Sequence, residues 1–355
     1  MRADSLEFLK TLLATPSPSG YEVENQRIWC EYARQYADEV KTDAYGNAVA
    51  ILNPNARPRI VLDGHVDEIG MIVKYIDDSG YIYVQRIGGV NPALVQSKRV
   101  NIHTPKGVVR GVVGATAIHL LDKSAKERKA PKWQEIHIDI GAKDKDDACK
   151  QVAIGDPITF TDDFEMLNKN IAVARAFDNR AGVWAIIEAL RLAKDKGVTC
   201  GIYACSSIQE ETGLNGARMQ AQQHDPDAAI AVDVTHATDT PNIDVKLHGE
   251  TKLGEGPTIS LGREHHPVIT ERLRSVAKKK RIGVQMETFS VTGGTDAYAY
   301  WTQNGGTPVA LVSIPNRYMH STVEMLDLRD LEKVAKLLAA FCVDLKKNET
   351  FEVKV

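Results

Sequence analysis

Seven residues, Ser207-Ile208-Gln209-Glu210-Glu211-Thr212-Gly213, constrain this chain more than any others. Ile202 to Ile208 is a continuous apolar run of strand length, and Thr212-Gly213 ends it. Adjacent acids at the end of a buried strand open onto a cleft in α/β proteins. Neighbouring residues of an extended segment point to opposite sides, so Glu210 and Glu211 can do different jobs. One can bind a metal while the other handles a proton. Taken alone, the pair reads more often as two ordinary acids on a solvated loop. The remainder of the chain decides against that.

Leu6, Leu9, Leu12 and Leu13 share a helical face, which predicts a helix over residues 5–14, stopped by Pro16-Ser17-Pro18-Ser19-Gly20. A second helix runs through Val23, Ile28, Trp29 and Tyr32. Arg59-Ile60-Val61-Leu62 reads as a buried strand that delivers Asp63-Gly64-His65-Val66-Asp67 to its end. Near Gly70 the texture changes. From there to about Thr161, short alternating runs between glycines predict a small β-barrel or sandwich, with the charged stretch Lys123 to Lys132 as a loop. The α/β pattern returns at Ile171. Asp178 opens a helix with Val183, Ile186, Ile187 and Leu190 on its apolar face. A strand from Ala229 to Val234 carries Asp233, His320 lies on a loop, and Leu328 to Leu345 forms a closing helix. The expected organisation is one α/β domain, 1–69 and 165–355, with a β-rich domain, 70–164, inserted into it.

A chain of 355 residues is long for one core, so two domains are expected on length as well. The net charge of −3 and the lack of a long basic run argue against nucleic acid as a partner. The cluster Lys278 to Arg281 ends a helical pattern, where cations suit the helix dipole. Five cysteines, an odd number without a CxxC pair, read as reduced thiols in a cytoplasmic protein. No apolar run approaches the roughly 18 residues of a membrane span.

Several polar residues end buried elements of the α/β portion: His65, Asp67, Asp178, Glu210, Glu211, Asp233 and His320. Each has a bland reading by itself; Asp178 alone, for instance, is more often a helix N-cap. Together, imidazoles and carboxylates without thiolate form a donor set suited to zinc, cobalt or manganese in a hydrolytic site. Two histidines, two terminal carboxylates and one bridging carboxylate suit two ions. A pair of ions about 3.5–4 Å apart can polarise a carbonyl and bring the pKa of a bound water to roughly 7. A further carboxylate can take the proton.

At this point the chain resembles the tetrahedral aminopeptidases, a metallopeptidase family that includes glutamyl aminopeptidase and proteins once labelled cellulase M. The resemblance is carried by Pro16-Ser-Pro-Ser-Gly20, Asp43-Ala-Tyr-Gly-Asn47, Gly64-His65-Val-Asp67-Glu-Ile-Gly70, Arg86-Ile-Gly-Gly89 and Ala176-Phe-Asp178-Asn-Arg-Ala-Gly182. It continues through Gln209-Glu-Glu-Thr-Gly213, Ala231-Val-Asp233-Val-Thr235, Gly293-Gly-Thr-Asp-Ala297 and Arg317-Tyr-Met-His320-Ser321. It implies a zinc-exopeptidase-like α/β/α sandwich with a mixed sheet, the inserted barrel serving dimerisation. It implies that Asp178 bridges two divalent ions, zinc or cobalt. His65 and Asp233 would complete one ion's shell, and Glu211 and His320 the other's. Glu210 would be the general base, and Asp67 would orient the His65 ring from behind. The peptide after Asp178 is expected to be cis. The substrates would be short peptides with a free N-terminus, and the assembly a dimer-built tetrahedral dodecamer.

Two departures stand out. Asn179 occupies a position that is often a second Asp in relatives, and Thr116-Ala117-Ile118-His119 replaces a Pro-Pro-His segment. The first is expected to be tolerated; the second bears on the inter-domain contact and the assembly. Three other readings compete. A deacylase or carboxypeptidase on the same metal frame usually carries its small domain after the glutamate pair. A glycosidase needs two opposed carboxyls and no metal. A non-catalytic assembly protein would have lost ligands that are all present here. The motifs leave the preferred N-terminal side chain open.

Overall fold

A computed structural model describes residues 1–120, 130–262, 264–290 and 294–355. Most of the Lys123 to Lys132 stretch, and Gly293, lie outside them.

Helices α1 (Ala3–Ala14) and α2 (Val23–Ala33) lead into strands β1 (Glu39–Thr42), β2 (Ala48–Leu52) and β3 (Arg59–His65). Strands β4 (Gly70–Ile76), β5 (Ile82–Ile87), β6 (Arg99–Thr104), β7 (Gly107–Val113) and β8 (His137–Asp139) follow, then helix α3 (Lys145–Gln151) and β9 (Pro157–Phe160). Next come β10 (Glu165–Met166), β11 (Ile171–Ala174), α4 (Phe177–Lys194), β12 (Gly201–Ser207), α5 (Asn215–His224) and β13 (Ala228–His236). The chain continues through α6 (Val245–His248), β14 (Thr258–Gly262), α7 (Pro267–Lys280), β15 (Gln285–Phe289), α8 (Asp296–Trp301), β16 (Val309–Asn316), β17 (Glu324–Asp327) and α9 (Leu328–Asp344).

Eight strands form a mixed sheet in the order β1-β2-β12-β3-β13-β16-β14-β15. Its centre, β12-β3-β13-β16, is parallel, and those strands are buried on both faces. That explains why their sequences read as unbroken apolar runs rather than alternation. One face packs α1, α4, α7 and α9 through residues such as Leu9, Ile186, Leu273 and Phe341. The other packs α5 and α8 around Tyr203, Ala217 and Tyr300. This is the α/β/α sandwich expected.

Strands β4 to β9 close an antiparallel barrel in the order β4-β5-β8-β7-β6-β9, filled by its own core of Met71, Ile82, Val100, Ile138 and Ile158. A three-stranded antiparallel sheet, β10-β11-β17, was not anticipated. It pairs Ala174 with Glu324 and so ties the segment entering α4 to the segment entering α9. The helix opened by Asp178 also needs correction. α4 includes Phe177, but Asp178 and Asn179 have non-helical dihedrals and a cis peptide joins them, so regular helix starts at Arg180. Among the described residues no helix is long and apolar enough to cross a membrane.

Candidate metal centre

The parallel strands β3, β12, β13 and β16 run the same way, so the segments leaving them gather at one edge of the sheet. His65 is the last residue of β3. Glu210 and Glu211 lie three and four residues past Ser207, the end of β12. Asp233 sits within β13, and His320 lies on the loop between β16 and β17. Asp178 reaches the same point from the break in α4.

Two groups of three potential ligands result. His65, Asp178 and Asp233 form one; Asp178, Glu211 and His320 form the other. Within each group the ligand atoms lie within 4.8 Å of one another. Asp178 belongs to both and presents one oxygen to each side. Its Oδ1 is 3.2 Å from His65 Nε2, and its Oδ2 is 3.3 Å from His320 Nε2. His65 Nε2 is also 3.8 Å from Asp233 Oδ1, and His320 Nε2 is 3.3 Å from Glu211 Oε1. Glu210 stands beside the first group, its Oε2 3.8 Å from His65 Nε2.

The charge state of the cluster fits a site for cations. Burial, then the neighbouring Asp178 charge, pushes the Asp233 carboxyl up to about 8. Burial likewise raises Glu210 well above the usual carboxylate range, with Asp233, Glu211 and Asp178 adding repulsion against the pull of His65. Glu211 is raised by burial too. Asp178 goes the other way: although burial opposes ionisation, hydrogen bonds from His320 and His65 hold it below its ordinary value. Hydrogen bonds to Asp178 and Glu211 push His320 up to about 11. Several buried carboxylates this close repel one another, and positive charge among them lowers the cost. Oxygen and imidazole nitrogen donors suit zinc or another borderline divalent ion.

Asp67 lies behind this cluster and does more than orient one ring. Its Oδ1 is 3.4 Å from His65 Nδ1 and accepts the Glu210 amide at 3.0 Å. Its Oδ2 accepts the Glu211 amide at 3.2 Å and the Ser19 hydroxyl at 2.6 Å. Burial works against its charge, but the His65 ring and these donors hold it below its ordinary value. This explains the Pro16–Gly20 motif: Ser17 donates to the Val66 carbonyl, and Ser19 to Asp67.

Glu324, the first residue of β17, escaped the sequence reading, yet it plays the matching part on the other side. Its Oε2 accepts the Asp178 amide at 2.9 Å, and its Oε1 accepts the His320 amide at 3.0 Å. Burial and the Asp178 charge raise it well above the usual range. The only sequence signal is an acid four residues after a candidate ligand.

The barrel also reaches the cluster. Gly88 and Gly89 follow β5, and their backbone lies against the second group. A Cβ on Gly89 would stand 2.4 Å from His320 Nδ1, and one on Gly88, whose φ is +69°, 2.9 Å from Glu211 Oε2. Arg180, in the same motif as Asp178, is fully buried and donates to the Leu13 carbonyl, Ser17 and Glu68. Asn179 donates to the Val232 carbonyl at 2.7 Å and accepts the Gly182 amide at 3.0 Å. A carboxylate could not make the first bond, so Asn suits the position. Thr295 precedes α8 without a side-chain cap bond. Asp296 is buried, and burial and the Asp63 charge raise it well above its ordinary value.

Residues 46–337 match the family model described as M42 glutamyl aminopeptidase. A lysyl aminopeptidase of Pyrococcus furiosus is 35% identical over 342 residues, covering 96% of this chain and 97% of that protein. The TET aminopeptidase of the marine sediment archaeon Thaumarchaeota archaeon SCGC AB-539-E09 superposes with a TM-score of 0.91 at 34% identity, covering 97% of this chain and 98% of that one. The TET1 peptidase of Pyrococcus horikoshii, described as able to assemble into a tetrahedron or a large octahedral shell, gives 0.86 at 32% identity, covering 96% and 100%. With the match extending over most of its length, the chain belongs to the M42 glutamyl aminopeptidase family and is a metal-dependent aminopeptidase.

Proposed function

We propose that this chain removes the N-terminal residue of short peptides at the cluster around Asp178. One observation carries the reading: two potential ligand groups share a single buried carboxylate, with Glu210 standing free of both. His65 and Asp233 would hold one divalent ion, Glu211 and His320 a second, and Asp178 both; zinc or cobalt suits these donors. Such ions polarise a carbonyl and make water acidic near neutral pH. The protein's own residues supply the rest. Glu210 takes a proton from the attacking water and returns it to the leaving amine, an effect worth about 10²–10⁴-fold. Its burial raises its proton affinity, which suits a carboxylate that must accept a proton near neutral pH. Asp67 fixes the Glu210 backbone and the His65 ring, so the base and the first ligand group move as one unit.

We assign the inserted segment, 70–164, to dimerisation, and the dimer to a tetrahedral dodecamer. Support comes from the relatives' TET assemblies and from exposed apolar residues on the barrel, including Val108, Val112 and Tyr75. A cytoplasmic location is supported by five unpaired cysteines, four of them buried.

Hydrolysis of aminoacyl p-nitroanilides tests the reading, with zinc or cobalt returned after chelator treatment. Metal-restored cleavage of free-amine substrates, absent on N-acetylated ones and reduced about 10²–10⁴-fold in Glu210→Gln, is expected. Glu210→Gln should keep its metal. Cleavage that persists in Glu210→Gln would remove the residue from its role, and N-acetylated substrates cut in preference would point to a deacylase.

A further inference from the structure

The sheet face that carries Asp233 does not end at the metal centre. Thr235 follows two residues later on the same face of β13, and Ser313 of β16 stands directly opposite Asp233 in the ladder. Thr258 of β14 pairs with Ser313, and Ser260 pairs with Glu287 of β15. The side chain of Glu287 crosses this polar strip towards Asp233. Its Oε1 accepts three hydroxyls: Ser260 at 2.6 Å, Thr258 at 2.7 Å and Ser313 at 3.1 Å. Its Oε2 accepts one, from Thr235 at 2.7 Å.

This is an unusual way to hold an acid. Four hydroxyls pin the carboxylate, but none neutralises it. Among the described residues no lysine or arginine lies within ion-pair distance of Glu287. The histidines whose charges it influences, His236 and His265, are held below their ordinary values by burial and so favour the neutral form. Thr258, Ser260 and Ser313 are buried, whereas Glu287 and Thr235 are half-exposed, so the charge faces outward from a fixed floor. Oε1 is saturated. Oε2, on the Thr235 side, has acceptor capacity left. A partly buried charge with no counter-ion among the described residues is costly, and a well-placed cation repays that cost.

Thr235 is one strand repeat from Asp233, about 7 Å along the sheet. A peptide whose scissile bond lies at the metal centre would therefore bring its N-terminal side chain within reach of Glu287. The four-carbon stem of lysine spans such a gap. Phe289, on the same face as Glu287 and half-exposed, adds an apolar surface beside that path. We propose that Glu287 is the specificity residue of this aminopeptidase, receiving the cationic side chain of an N-terminal lysine or arginine. The inference rests on the aminopeptidase reading above and adds its substrate class.

Lysyl and norleucyl p-nitroanilides share a four-carbon stem and differ in the terminal ammonium, so their kcat/KM ratio isolates the charge. The wild type should favour lysyl by about ten- to hundredfold, and added salt should reduce that preference. Glu287→Gln keeps an acceptor for the hydroxyls and should bring the ratio close to one. Calorimetry of free lysine against norleucine reads the same difference without turnover. A wild type that cleaves norleucyl as well as lysyl substrate overturns the proposal while leaving the aminopeptidase intact, and needs no variant to fold. An unchanged ratio in a folded Glu287→Gln also overturns it. Cleavage of neither substrate by metal-loaded enzyme that cuts another free-amine aminoacyl p-nitroanilide also overturns it, whereas cleavage of no free-amine substrate across the panel removes the aminopeptidase reading beneath it.

Discussion

The two halves of the candidate metal centre share Asp178 and are both touched by Asp67, yet they are built differently. His65 and Asp233 belong to adjacent parallel strands deep in the sheet, and both are buried. Their positions follow from the ladder and from the apolar cores on either face. Glu211 and His320 lie on turns beyond their strands. His320 has a left-handed φ of 58° and is partly exposed, and Gln209, just before the glutamate pair, has φ 54°. Non-glycine residues in this region carry strain that surrounding structure must hold. Here the support is borrowed: Asp67 holds the Glu211 amide, Glu324 holds the His320 amide, and the barrel's Gly88 and Gly89 back the two side chains. One half is fixed by the fold, the other by added contacts. The second half is the one expected to give up metal first.

The largest effect is expected where the halves meet. Asp178→Ala removes the candidate ligand common to both, so metal analysis should find almost no bound ion and activity should vanish. A variant that retains one tightly bound ion would show that the halves do not depend on the shared carboxylate.

The comparison itself is tested by chelator titration of the wild type and His320→Ala. The wild type should lose its ions in two phases, the weaker one missing from His320→Ala while the tighter one keeps its midpoint. Loss of the tighter phase instead would invert the assignment.

Glu324→Gln comes next. It leaves one acceptor oxygen where the Glu324 carboxyl offers two, one to the Asp178 amide and one to the His320 amide. Partners behind metal ligands typically contribute about 10–100-fold in affinity, and the weaker phase should shift by that order. An unchanged titration would reduce Glu324 to a packing residue.

Gly89→Ala is expected to have the smallest effect, because His320 can retreat by rotating. Its new methyl would stand 2.4 Å from Nδ1 in the present arrangement. The weaker phase should still move, and it should move without any change at the His65 half. A shift in both phases would mean that the barrel braces the whole centre.

How much of this was legible follows from what a single stretch of sequence can encode. His65, Glu210, Glu211, Asp233 and Asp178 each end or interrupt an apolar run, and a run is a local pattern. The shared chemistry of those residues then suggested one site. Glu324 had no such mark, because β17 is four residues long and pairs with Ile171–Ala174, far earlier in the chain. No periodicity announces a strand that short. Arg180 was ambiguous for a similar reason: an arginine in a helix reads as exposed until Glu68 and Ser17 arrive from elsewhere to bind it.

The sequence by itself determined the α/β sandwich, the inserted barrel and which acids and histidines end their strands at one edge, since burial on both faces of a parallel strand and the end of that burial are written residue by residue. Only the tertiary structure decided how the donors are held and what lies beside them. The amides on Asp67 and Glu324, the glycines against Glu211 and His320, and the four hydroxyls around Glu287 are contacts between segments distant in the chain. Hydrogen bonds and close packing depend on distances of a few ångströms, and those exist only once the chain has folded.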